Sequence, residues 1–238
     1  MNKMTPYRRI FQTVTVTMAA VLGLLSSGCG GGSSDAGMSP LAVGADGTSS
    51  FSAEVLVARL DGYALAPLSS AEAASLAYMR EEEQLAHDVY AVSATLYAQP
   101  IFANITASEA THAAAVKALL DRYGQPDPLE GLAAGTYKTA AFQALHDALV
   151  AASRVSLVEA LKVGVEIEEL DMRDIAAQQV GIDNADILMV YDNLLRGSRN
   201  HLRAYMKVLT QQGGSYVPQY ISQAEFDAIV QSATETGG

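Results

Sequence analysis

The chain has 238 residues, half of them hydrophobic, with 15 Lys plus Arg, 26 Asp plus Glu, 4 His, one Cys and no Trp. That composition can bury a core and is not that of a disordered chain. A formal charge of −11 leaves no basic surplus for a nucleic-acid partner held through its phosphates. A single Cys excludes an internal disulfide and any zinc site built from several thiolates.

The N-terminus reads as an export signal. Lys3, Arg8 and Arg9 precede an apolar run from Val14 to Leu25, which is too short for a ~30 Å hydrocarbon core and is followed by small residues. This predicts a signal peptide over residues 1–28 rather than a membrane span. Its removal would make the remaining chain more acidic still. The segment Leu24-Leu25-Ser26-Ser27-Gly28-Cys29 resembles a bacterial lipobox, with Ser26 where Leu is usual. The resemblance implies a lipid on Cys29 and an exported, membrane-anchored envelope protein. Gly30, in place of Asp, points to the periplasmic side of the outer membrane if the source is Gram-negative. Residues 29–50 are mainly Gly, Ser, Ala and Asp and read as a flexible tether. Residues 51–68 read as an arm, in which Val55, Val57 and Leu60 fit either a short strand or a packed segment.

Low Pro and abundant Ala and Leu favour helix, and four long helical patterns follow. The first runs from Ser69, capped with Glu72, to about Ala98 before Pro100. Leu76, Met79, Glu83, Ala86, Tyr90 and Tyr97 share one face, with Glu81, Gln84 and Asp88 opposite. The second, about Ile101 to Tyr123, carries Phe102, Ile105, Glu109, His112, Val116, Leu119 and Tyr123 on one stripe. The third, about Val155 to Gln179, carries Leu157, Leu161, Val165, Glu168, Met172 and Ile175, with Asp171 one turn from Glu168. Glu159, Lys162, Glu166, Glu169 and Arg173 form its expected solvated face. The fourth, about Asn184 to Gln212, turns Ile187, Tyr191, Leu194, Ser198, His201, Tyr205 and Val208 one way. Asp192, Arg196, Arg199, Arg203 and Lys207 point the other way, towards solvent.

Short turns make helices one and two, and three and four, antiparallel hairpins. The stretch from Gly124 to Arg154, with a short helix near Phe142 to Ala151, is long enough to travel the bundle and set helices two and three parallel. Ser222 with Glu225 caps a last short helix. The expected fold is therefore all-α, a four-helix bundle over residues 69–231 with one long crossover and accessory helices. Residues 232–238 read as a disordered tail.

All four stripes are interrupted near mid-height: by Glu83, by Glu109 with His112, by Glu168 with Asp171, and by His201. A lone carboxylate in an apolar interior costs several kcal/mol unless paired, protonated or bound to metal. Glu109 and His112, at i and i+3, can reach one ion from one face. Four carboxylates and two imidazoles match the inventory of a carboxylate-bridged dinuclear site, suited to iron or manganese ahead of zinc. Glu82 competes with Glu83 as the first-helix ligand; otherwise it would pair with an arginine. His87 and His146 read as surface or packing residues, and Tyr90, Tyr191 and Tyr205 as core.

Met79-Arg-Glu-Glu-Glu-Gln-Leu-Ala-His-Asp-Val-Tyr90, Ser108-Glu-Ala-Thr-His112, Ile167-Glu-Glu-Leu-Asp171 and Gly197-Ser-Arg-Asn-His-Leu-Arg-Ala-Tyr205 resemble the ferritin-like superfamily of ferritins and rubrerythrins. More closely, they resemble an uncharacterised bacterial and archaeal domain family placed within it. The resemblance implies that Glu83, Glu109, His112, Glu168 and His201 are metal ligands holding one or two ions. The fourth helix departs from the pattern, because Ser198 stands where a Glu is usual. Either Asp171 supplies the missing carboxylate or one metal position is weak. The resemblance implies ferroxidase or peroxidase-like chemistry. The Cys pairs of rubrerythrin are absent, which argues against a self-contained reductive peroxidase. The alternatives are a non-enzymatic protein using metal structurally or for sequestration, and an interaction module with a degenerate site. A lipid anchor is compatible with a homodimer and less so with a large cage.

Overall fold

The computed structural model describes residues 39–236, so the signal segment and Cys29 lie outside the described residues. In chain order the elements are β1 (Leu41–Val43), β2 (Ser49–Phe51), α1 (Ala53–Asp61), α2 (Ser70–Leu96), α3 (Pro100–Arg122), α4 (Ala140–Ser153), α5 (Leu157–Gln179), α6 (Ala185–Gln211) and α7 (Gln223–Gln231). The described chain is thus mainly helical, as its composition predicts.

Helix ends follow local chemistry. Ser69 and Glu72 close a reciprocal capping box at the start of α2. The second Glu72 oxygen accepts the N–H groups of Asp183 and Asn184, which ties this end to the α5–α6 turn. Pro100 stands in the first turn of α3, where a missing N–H leaves nothing unsatisfied. Ser156 and Ser222 cap α5 and α7 through their hydroxyls.

The four long helices pack in a ring, α2 on α3, α3 on α6, α6 on α5 and α5 on α2. Side-chain bonds fix their directions. Tyr78, early in α2, donates to Asp174 late in α5, while Tyr90, late in α2, donates to Glu168 earlier in α5. Arg122 and Tyr123, at the end of α3, reach Asp186 at the start of α6. Ring neighbours therefore run antiparallel, and α3 and α5 run parallel, as the long crossover requires.

Several faces expected to meet water are covered. Thr139 bonds Glu81 through its N–H at 2.9 Å, and the Gly135 N–H and Tyr137 hydroxyl bond Asp88 at 2.8 and 2.9 Å, pinning the crossover onto α2. Glu166 and Glu169, expected to be solvated, are both buried. Glu169 accepts the N–H groups of Gln219, Tyr220 and Ile221 and the Tyr216 hydroxyl, so it anchors the segment before α7. The arginine face of α6 is likewise not open. Arg199 and Arg203 both hold Glu235, which docks residues of the tail expected to be disordered. Arg196 holds the Ser39 hydroxyl and the Leu41 carbonyl. Guanidinium forks satisfy such carboxylate and carbonyl partners better than solvated lysines would.

The stretch expected to be a tether folds, from residue 41 onward, into a hairpin. Leu41 pairs with Phe51 and Val43 with Ser49. Its turn uses Asp46, whose side chain accepts the Thr48 N–H and hydroxyl, and Gly47, whose φ of 88° favours glycine. The hairpin lies on α3 and α6. The following arm forms helix α1, capped by Ser52, rather than a strand.

Two apolar clusters fill the ring. One gathers Val89, Tyr90, Phe102, Ile105, Leu161, Val165 and Tyr205; the other gathers Leu76, Met79, Val116, Leu119, Ile175, Ile187 and Leu194. Glu83, Glu109, His112, Glu168, Asp171 and His201 fall between them along each helix, forming a polar layer at mid-height.

Burial alone would raise the Asp88 carboxyl, but hydrogen bonds from His87, Gln84, the Gly135 N–H and Tyr137 hold it down to about 2. A depressed carboxylate contributes stability that is complete above its ordinary value of 3.8 and is lost as pH falls through about 2. Asp88→Asn is expected to lower stability at neutral pH by about 1–3 kcal/mol, the cost of losing a charge-assisted buried network. In thermal melts, the gap from wild type should narrow in acid.

Candidate metal centre

Each ring helix delivers part of the polar layer, and none of Glu83, Glu109, His112, Glu168, Asp171 and His201 is more than 6% exposed. Glu109 is the hub. One of its oxygens lies 2.8 Å from Nδ1 of His201 and the other 3.1 Å from Nδ1 of His112. A second carboxylate approaches each ring: Glu83 lies 3.5 Å from His112 Nδ1, and Glu168 lies 3.4 Å from His201 Nδ1. The imidazoles are stacked, 5.2 Å apart and 12° from parallel. One ligand atom each from Glu109, His112 and His201 fit within 4.8 Å of one another, the spacing of groups that could hold a metal ion.

The remaining residues orient this group. The Tyr90 hydroxyl donates to Glu168 at 2.7 Å. Ser198, in the position where a Glu was expected, donates to Asp171. Asp171 contacts neither imidazole, but the negative charges of Glu83 and Glu168 bear on it. Ser49, from the hairpin, places its hydroxyl 2.9 Å from Nε2 of His112 and 2.8 Å from Nε2 of His201. Sequence reading missed Ser49 because it lies in a Gly- and Ser-rich stretch. The available signal was Asp46-Gly47 between short apolar segments, a hairpin pattern.

Oε1 of Glu83 and Oδ1 of Asp171 lack a hydrogen-bond partner, and Nδ1 of each imidazole meets only carboxylate oxygens. Such atoms are costly to leave uncompensated. Burial pushes the Glu83 carboxyl up to about 7 and also raises Glu168 and Asp171. Burial acts the same way on Glu109, but the two imidazoles outweigh it and hold that carboxyl below the usual range. His201 would be lowered by burial, yet Glu168 and Glu109 carry it up to about 9. Histidine protons thus stand where a cation could stand, against the same carboxylates. The donor set of carboxylate oxygens and imidazole nitrogens, without thiolate, suits hard or borderline divalent ions.

Glu82 is buried too, with neither oxygen bonded, and it faces Asp174 rather than the arginine expected of it. Tyr191 bonds Ser75, Tyr205 packs on Tyr90, and His87 and His146 pair with Asp88 and Asp147 away from the centre.

Gly197 leaves the space that the site needs. A Cβ there would fall 2.6 Å from His112 Cε1 and 2.9 Å from the Ser49 hydroxyl. On an open helix Gly→Ala would stabilise by about 1 kcal/mol. Gly197→Ala is instead expected to destabilise by about 1–3 kcal/mol through overpacking, as measured by thermal or denaturant unfolding.

Residues 72–233 match a family described as an uncharacterized protein domain, DUF2202. An uncharacterized protein of Methanocaldococcus jannaschii, MJ0754, is 45% identical over 171 residues, 72% of this chain and 92% of that protein. The crystal structure of hypothetical protein MJ0754, from Methanococcus jannaschii DSM 2661, is similar with a TM-score of 0.71 and 44% identity. It covers 72% of this chain and 98% of that one. The chain belongs to the DUF2202 family.

Proposed function

We propose that this is a ferritin-like metal-binding protein whose four-helix bundle holds a carboxylate-bridged pair of iron or manganese ions. The carrying observation is the hub: Glu109 turns one oxygen to each imidazole, and each imidazole has a second carboxylate of its own, Glu83 or Glu168. That doubled arrangement supports two ions sharing Glu109 over a single ion. Glu83, Glu109 and His112 would hold one, and Glu109, Glu168 and His201 the other, with Asp171 supplying the carboxylate that the fourth helix lacks.

Two ferrous ions held in this way supply two electrons, enough with two protons to take hydrogen peroxide to two waters, which places ferroxidase or peroxidase-like activity within reach. The chain's own part is geometric. Tyr90 and Ser198 orient Glu168 and Asp171, the hairpin covers the histidines, and the apolar clusters on either side keep the layer dry. The depth of burial also supports a second reading, in which the metal serves structure or sequestration.

The deciding experiment uses the full chain, metal analysis and aerobic titration with ferrous iron. Two ions per chain are expected, with oxidation of added iron, and both should be lost in a Glu109→Ala, His112→Ala double variant. Unchanged metal stoichiometry in that variant would falsify the site. Retained metal without oxidation would establish the second reading.

The lipobox resemblance extends the proposal to the envelope. Cys29 lies ten chain steps before Ser39, which α6 holds through Arg196, so the anchor can stand at most ~35 Å from that point. Cys29→Ala is expected to move the protein from the membrane fraction to the soluble fraction of its host without changing metal content.

A further inference from the structure

We propose that Ser49 is a positioning residue for both histidines: its hydroxyl oxygen accepts an N–H from Nε2 of His112 and from Nε2 of His201, which leaves both Nδ1 lone pairs turned into the cation site. The inference rests on the metal reading above and extends it to a residue outside the matched segment, residues 72–233.

A serine hydroxyl has one proton to give and two lone pairs to receive with. It meets the two imidazoles at 2.9 and 2.8 Å. If it donated to either ring, that ring would carry its proton on Nδ1, and the nitrogen beside Glu109 would have no lone pair for a cation. Accepting from both rings is the one arrangement that frees both Nδ1 atoms together. It also explains the near-parallel stacking of the rings, since one oxygen serves both. Partners of metal-bound histidine act in the same way, by fixing the tautomer through the second nitrogen.

The hydroxyl is held in place from several sides. The Ser49 N–H bonds Ser108 Oγ at 3.1 Å, and the Phe51 N–H bonds Thr111 Oγ1 at 3.0 Å. The Phe51 ring stands edge-on to His112, and Gly197 leaves the room that a side chain would fill. The backbone ladder between β1 and β2 sets the register, so Ser49 and Phe51 face inward while Ser50 faces out.

The test uses the full chain loaded with Zn²⁺ and labelled with ¹⁵N-histidine, with Co²⁺ as the probe of affinity. Long-range ¹H–¹⁵N correlation of the wild type should show the proton of both rings on Nε2 and metal on Nδ1. Ser49→Ala should weaken Co²⁺ binding by about 10–100-fold and alter the Co²⁺ ligand-field bands, and Ser49→Thr should restore most of both. A Ser49→Ala variant with unchanged bands and affinity within about twofold of wild type, below the loss expected for such a partner, overturns the assignment. So does a wild-type ring protonated on Nδ1, a result that does not depend on any variant folding. A wild type that takes up neither ion removes the metal reading itself, and this inference with it.

Discussion

The cost of burying four carboxyl groups in the middle of the helical ring is the constraint on which the rest of the structure depends. Glu83, Glu109, Glu168 and Asp171 share a layer closed above and below by apolar clusters. Among the described residues no lysine or arginine pairs with any of them; their partners are imidazoles and hydroxyls. Stripping water from one carboxylate costs several kcal/mol, and four in one layer could not persist as bare anions. Protons can offset part of this, as the raised Glu83, Glu168 and Asp171 carboxyls indicate. A proposed pair of divalent ions would offset it more completely, because each would face several of the oxygens at once.

The other buried carboxylates make the contrast that gives this layer its meaning. Glu72 caps one helix and the turn between two others. Glu169 is surrounded by the donors of an incoming segment, Asp88 and Glu81 hold the crossover, and Asp186 joins two helix ends. Each has its partners, and each accounts for a connection in the fold. Among the described residues, buried carboxylate oxygens stand without a hydrogen-bond partner only in the central layer and at Glu82 beside it. Burial alone does not separate the acids that join elements of the fold from those of the central layer. Satisfaction does.

What could be read from the sequence followed periodicity. Apolar spacing gave the four long helices to within about two residues, and Ser69 with Glu72 and Pro100 mark the first two by their own chemistry. The interruptions of the stripes at Glu83, Glu109, His112, Glu168 and His201 named residues that do converge. Faces were read less well. Glu166, Glu169 and the α6 arginines looked solvated because a helical wheel shows one helix, whereas here the crossover, the termini and the segment before α7 lie over those faces. The hairpin was missed because six strand residues carry too little pattern to stand out from a Gly- and Ser-rich stretch.

Two small residues on α6 connect the hairpin to the central layer. Where the resemblance leads one to expect a glutamate, Ser198 is short enough to bond Asp171 across from α5, so the carboxylate is in effect carried by the neighbouring helix. Gly197, one residue earlier, has no side chain, and the space it leaves is bordered by His112 and by the Ser49 hydroxyl. A side chain at 197 would press on the His112 ring and on the Ser49 hydroxyl of the hairpin. The small residues of α6 and the hairpin therefore fit one another. The helix leaves room beside His112, and the chain before the helical ring borders it with a hydroxyl that both histidines share.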